Sequence, residues 1–74
     1  MKKVENSPPH ITVEVESSMD GWTVWETGSA GARNGEWETS MGEYAYKKTA
    51  VEHAIKHYRL LVKKNDIYMV SLKI

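Results

Sequence analysis

From residue 46 to residue 64 the chain carries no glycine or proline, and on both sides of that stretch apolar and polar residues alternate. One unbroken helical segment set between alternating segments restricts the fold to a mixed one, in which a helix covers a sheet. On a wheel of about 100° per residue, Val51, Ala54, Ile55, Tyr58, Leu61 and Val62 fall on one broad apolar stripe. That is the pattern of a helix lying on a sheet. Ser40-Met41-Gly42-Glu43 has the spacing of a capping box, but Gly42 and the alternation of residues 37–41 argue for a later start, near Tyr46. Lys63 and Lys64 complement the helix dipole at the far end.

The flanking segments supply the strands. Residues 11–16 alternate strictly, with Ile11, Val13 and Val15 directed at a core and Thr12, Glu14 and Glu16 at water. Asp20-Gly21 is a hairpin dipeptide within the loop 17–21. In residues 22–27, Trp22 and Val24 point inward and Trp25 lies on the opposite face. Residues 28–35 read as a loop of small residues, with Asn34-Gly35 its tight-turn signal. Residues 36–41 alternate again, with Trp37, Thr39 and Met41 on one side. In residues 67–74, Tyr68, Val70, Leu72 and Ile74 alternate. The expectation is an α+β fold, an antiparallel sheet in β-β-β-α-β order with one amphipathic helix packed on one face. Residues 10–74 would form this single domain, and residues 1–9, polar and containing Pro8-Pro9, a flexible tail.

A chain of 74 residues with 41% hydrophobic content can bury a modest core. At about 0.05–0.15 kcal/mol per residue, its stability would be about 4–11 kcal/mol. The absence of cysteine excludes disulfides and thiolate metal sites, and points to a reducing, cytoplasmic setting. No apolar run approaches the ~20 residues that cross a bilayer, and the polar residues 4–9 stand where a signal peptide has its apolar region. No membrane partner is expected.

The charges are sorted along the chain. Residues 1–43 hold eight acids against three bases, and residues 44–74 hold two acids against seven bases. The net charge of zero therefore hides a strong dipole, which governs the partners attracted more than the fold.

The stretch Asn34-Gly35-Glu36, Gly42-Glu43-Tyr44, Lys47 or Lys48, Ala50 and Ala54-Ile55 resembles the YegP-like family of small bacterial proteins. The resemblance covers about half the chain and implies an antiparallel sheet with a packed helix, but no activity. The order of three strands and a helix is also similar to the arm-binding domain of tyrosine recombinases, which reads DNA with its sheet. Here the outward sheet positions read as Glu14, Glu16, Glu26, Glu36 and Glu38, a sign that repels phosphate.

Chemical motifs are sparse. His53 and His57 stand four apart on the helix, but the segment lacks the glutamate of a His-Glu-x-x-His site and a third ligand. Both rings are expected on the solvent face as a plain surface pair. No Gly-x-Ser-x-Gly elbow frames a serine, and Gly28-Ser29-Ala30-Gly31 precedes a strand, not the helix start of a phosphate cradle. Glu36 and Glu38 share a solvated strand face. No catalytic residue, cofactor or metal is therefore assigned.

Binding features are clearer. Lys56, Arg59 and Lys63, with Glu52, form one helix stripe, and Lys47 and Lys48 stand at the helix start beside Tyr44 and Tyr46. Basic groups among aromatics suit single-stranded nucleic acid, although solvated helix faces commonly look the same. Trp25, among sheet acids, and Leu60, near 180° from the apolar stripe, are large apolar groups inside charged rims, as in protein interfaces. The expected function is a small non-enzymatic protein-interaction module, including a self-associating dimer or a regulatory role. The alternative is a nucleic-acid accessory protein using Lys47, Lys48, Lys56, Arg59 and Lys63.

Overall fold

Alternating segments joined by short links pair with their sequence neighbours, and the first three strands here do so. In the computed structural model, which describes residues 9–30 and 35–74, β1 (His10–Ser18), β2 (Gly21–Ser29) and β3 (Glu36–Tyr44) form an antiparallel meander. Helix α1 (Lys47–Lys64) carries the chain back across the sheet to β4 (Met69–Lys73), giving the order β3-β2-β1-β4. That crossover sets β4 parallel to β1, whereas a hairpin link would have made it antiparallel. The sheet is mostly antiparallel, with the helix packed on one face. Of the tail expected over residues 1–9, residues 1–8 lie outside the described residues, as does the Asn34 turn position, while the Pro9 carbonyl accepts a hydrogen bond from Met69 N–H.

The connections differ in detail from the turn signals. Ser18 pairs with Gly21, so Met19 and Asp20 make the turn and Gly21 opens β2. A Cβ at Gly21 would lie 2.3 Å from the carbonyl oxygen of Tyr44 on the neighbouring strand, so this position is held to glycine by close approach. β2 also runs through Gly28 and Ser29, which local composition places in a loop. Beyond them, the Ala30 N–H donates to the Gly35 carbonyl at 2.9 Å.

Ile11, Val13, Val24, Ala50 and Ala54 are the buried apolar residues. Val15, Trp22, Tyr44, Tyr58, Leu61 and Leu72 pack around them. The inward alternation of β1 and β2 is as expected, but the helix face is not. Ala50 and Ala54 are fully buried, Val51 and Ile55 are half-buried, and Val62 is 49% exposed. The helix is therefore turned from the stripe that side-chain size suggests. Small side chains lie where the helix backbone comes closest to the sheet, and larger ones flank the contact.

Glu26 requires a second correction. It follows Trp22 and Val24 on the helix side of β2 and is not an outward acid. Its Oε2 accepts a hydrogen bond from Trp37 Nε1 at 2.9 Å, and its Oε1 lies 2.6 Å from His57 Nε2. The Trp37 ring occupies the space above Gly28 and meets Tyr68 edge-on, with centroids 6.0 Å apart. Tyr46 is the N-cap of the helix without a side-chain hydrogen bond. At the other end, both the backbone N–H and the side-chain amide of Asn65 donate to the Leu61 carbonyl.

Candidate interaction surface

With α1 on one face, the other face of the sheet is lined by the alternate residues of each strand. Strand register places Trp25 between Glu14 and Ser40, with Lys73 beyond Glu14. On one side of this row, Thr23 stands between Glu16 and Glu43. On the other, Thr27 stands between Thr12 and Glu38. An indole at the middle of the face is thus ringed by Glu14, Glu16, Glu38 and Glu43. Trp25 is half-buried, and Thr23, two residues away on the same face, is 5% exposed. The Trp25 side chain is thus partly sheltered and partly open to solvent. Among the described residues, no helix or strand covers this face.

The opposite surface of the molecule is basic. Glu52, Ile55, Lys56, Arg59, Leu60 and Lys63 line a surface groove of about 350 Å³. Leu60 is 50% exposed and also borders a smaller recess of about 210 Å³ with Val24, Met41, Tyr44, His53, Lys56 and His57. It therefore lies on the shoulder of the helix above β3, not diametrically opposite the core. Charge sorting along the chain becomes charge sorting across the domain, with carboxylates on the sheet face and cations on the helix.

The groups at the helix start divide. Lys47 stands over the Trp22 ring at 5.3 Å, a cation–π contact, while Lys48 is exposed in the first turn. Tyr46 is exposed, but Tyr44 stacks on His53 with centroids 4.6 Å apart and rings 14° from parallel. His57 is half-buried against Glu26, so it does not belong to a plain solvent face. Both imidazoles thus join the helix to β2 and β3. No group of three metal-ligating side chains occurs among the described residues.

The Glu26–His57–Trp37 contact was missed by reading glutamates as outward by type. The alternation Trp22, Val24, Glu26 carries the signal, because residues two apart on a strand share a face. Glu26 uses both carboxylate oxygens within the fold, and its role is to join helix and sheet. No helix is long and apolar enough to cross a membrane among the described residues. Comparisons of the chain with protein-family models, curated proteins and solved structures find no match.

Proposed function

We propose that this protein is a small non-enzymatic interaction module that binds another protein through the sheet face around Trp25. The observation that carries this reading is the position of that indole, ringed by four glutamates at the centre of a face that no described helix or strand covers. Large aromatic groups inside polar rims provide much of the binding energy at protein interfaces. The carboxylates select a partner with a basic, partly apolar surface and repel polyanions. The helix groove of a second copy, with Lys56, Arg59, Leu60 and Lys63, has that chemistry.

A second reading is favoured by the same groove. Lys56, Arg59 and Lys63 share one side of the helix, with Lys48 and Tyr46 exposed at its start. This surface would serve a nucleic-acid accessory protein, with Lys47 contributing less because it is engaged by Trp22. Capture of partners from native lysate, with and without nuclease, separates the two. Loss of capture in Trp25→Ala, unaffected by nuclease, supports the protein-binding module. Nuclease-sensitive capture that survives Trp25→Ala and is lost on changing Lys56, Arg59 and Lys63 to Glu overturns it in favour of the second reading.

A further inference from the structure

The two edges of the sheet are built differently. At the β3 edge, the pairing with β2 is interrupted by a register shift opposite Val24 and Trp25, and the strand carries Glu36, Glu38 and Glu43. Bulges and charges are devices that discourage strand addition. At the other edge, β4 pairs with β1 without a shift over its five residues and carries one charge, Lys73. Among the described residues, β1 is its sole strand neighbour.

The hydrogen bonds of β4 fix which groups face outward. The Met69 N–H donates to the Pro9 carbonyl at 3.0 Å. In a parallel ladder, alternate residues of a strand bond to the same neighbour. Met69, Ser71 and Lys73 therefore turn their backbone groups toward β1, and Val70 and Leu72 turn theirs away from the sheet. The side chains of Val70 and Leu72 are half-buried beneath the helix.

The surroundings of this edge are apolar. Ile67 is 73% exposed, Met69 61% and Ile74 56%. His53 and His57 occupy the flank of α1 that faces β2 and β3. Val51, Ile55 and Val62 lie on the opposite flank by helical spacing, which places them on the β4 side. Part of the apolar stripe that the core does not cover thus runs beside the β4 edge, which no described strand pairs.

We propose that β4 is the interface of a homodimer, in which two copies pair antiparallel across a two-fold axis at Ser71. This register is self-complementary. Val70 faces the partner's Leu72, and Leu72 faces the partner's Val70, so the outward backbone groups of these residues bond in pairs. Ser71 faces its own copy, and Met69 faces the partner's Lys73. No like charges stand opposite each other. The β3 edge, with its register shift and three glutamates, offers no such unbroken run. Pairing at β4 joins the two sheets into one of eight strands and leaves both Trp25 faces open. The dimer therefore goes beyond the partner-binding reading and does not depend on it.

Sedimentation of the full chain over a range of concentrations, with Met69→Lys and Met69→Glu, tests the proposal. Met69→Lys sets two like-charged pairs across the interface and should weaken the dimer roughly tenfold, whereas Met69→Glu sets two opposite-charged pairs and should leave it as tight or tighter. Hydrogen exchange should protect the Val70 and Leu72 amides in the dimer and release them on dilution. A monomer at all concentrations overturns the proposal, as does a dimer that responds equally to both substitutions. Protection of both amides that persists in a dilute monomer also overturns it, because another part of the same chain then covers the edge. Trp25→Ala should leave this dimer intact, so failure of the partner-binding reading and failure of the dimer are separate results.

Discussion

Glu26 of β2 and His57 of α1 meet with Oε1 and Nε2 2.6 Å apart, while the other carboxylate oxygen of Glu26 receives the Trp37 indole N–H at 2.9 Å. One side chain therefore joins a central strand, an edge strand and the helix. The Glu26 and His57 side chains are 18% and 24% exposed, so water competes only in part for these bonds.

Replacement of Glu26 by Ala leaves the Trp37 donor and the imidazole without their partner. The expected loss is about 1–3 kcal/mol, the range for a part-buried polar group left unsatisfied. Glu26→Gln, which keeps an acceptor for Trp37, should cost less. Chemical denaturation of the two variants provides the measurement, and equal stability of Glu26→Ala and the native chain would remove the carboxylate as a fastener.

Gly28→Ala should displace the Trp37 indole. The added Cβ would lie 2.4 Å from the ring, well inside contact distance. Overpacking of this kind costs about 1–3 kcal/mol. The near-ultraviolet circular dichroism of the tryptophans should change with the denaturation midpoint. An unchanged spectrum and midpoint would mean that the indole does not lie above this glycine.

Two substitutions on α1 distinguish the observed helix face from the one that side-chain size suggests. Ala54 is fully buried, so Ala54→Leu should destabilise by about 1–3 kcal/mol through overpacking. Ile55 is half-buried, and Ile55→Ala should cost about 1 kcal/mol, part of the ~1.5–3 kcal/mol for a fully buried side chain. The reverse order in thermal or denaturant unfolding would mean that the side of the stripe bearing Val51, Ile55 and Val62, and not Ala54, faces the sheet.

Leu60 provides a control for the interaction surfaces. At 50% exposure on the helix shoulder, Leu60→Glu should change stability by no more than about 0.5 kcal/mol, as surface substitutions usually do. Reduced partner capture by both Leu60→Glu and Trp25→Ala would be expected if the helix groove of one copy meets the sheet face of another. Reduction by Trp25→Ala alone would assign the partner to a foreign protein.

Alternation and helical spacing by themselves determined the elements and the apolar inward residues of β1 and β2. Ile11, Val13 and Val24 are where a period of two places them, and a helix beginning after Tyr46 follows from the span without glycine or proline. The opposition of Trp25 to Val24 was equally legible, because neighbouring strand residues face opposite ways. Tertiary structure decided what local pattern does not encode. The parallel pairing of β4 depends on the path of the helix across the sheet. That Ala50, off the apolar stripe, and Ala54, at its margin, are buried more deeply than Val51, Ile55 and Val62 depends on how closely the helix approaches the sheet, since a wheel ranks residues by hydrophobicity and not by the space available. Glu26 looks like a solvent residue until Trp37 and His57, 11 and 31 residues away in the chain, arrive beside it as donors. Partners so distant in sequence are assembled by the fold, and no local spacing announces them.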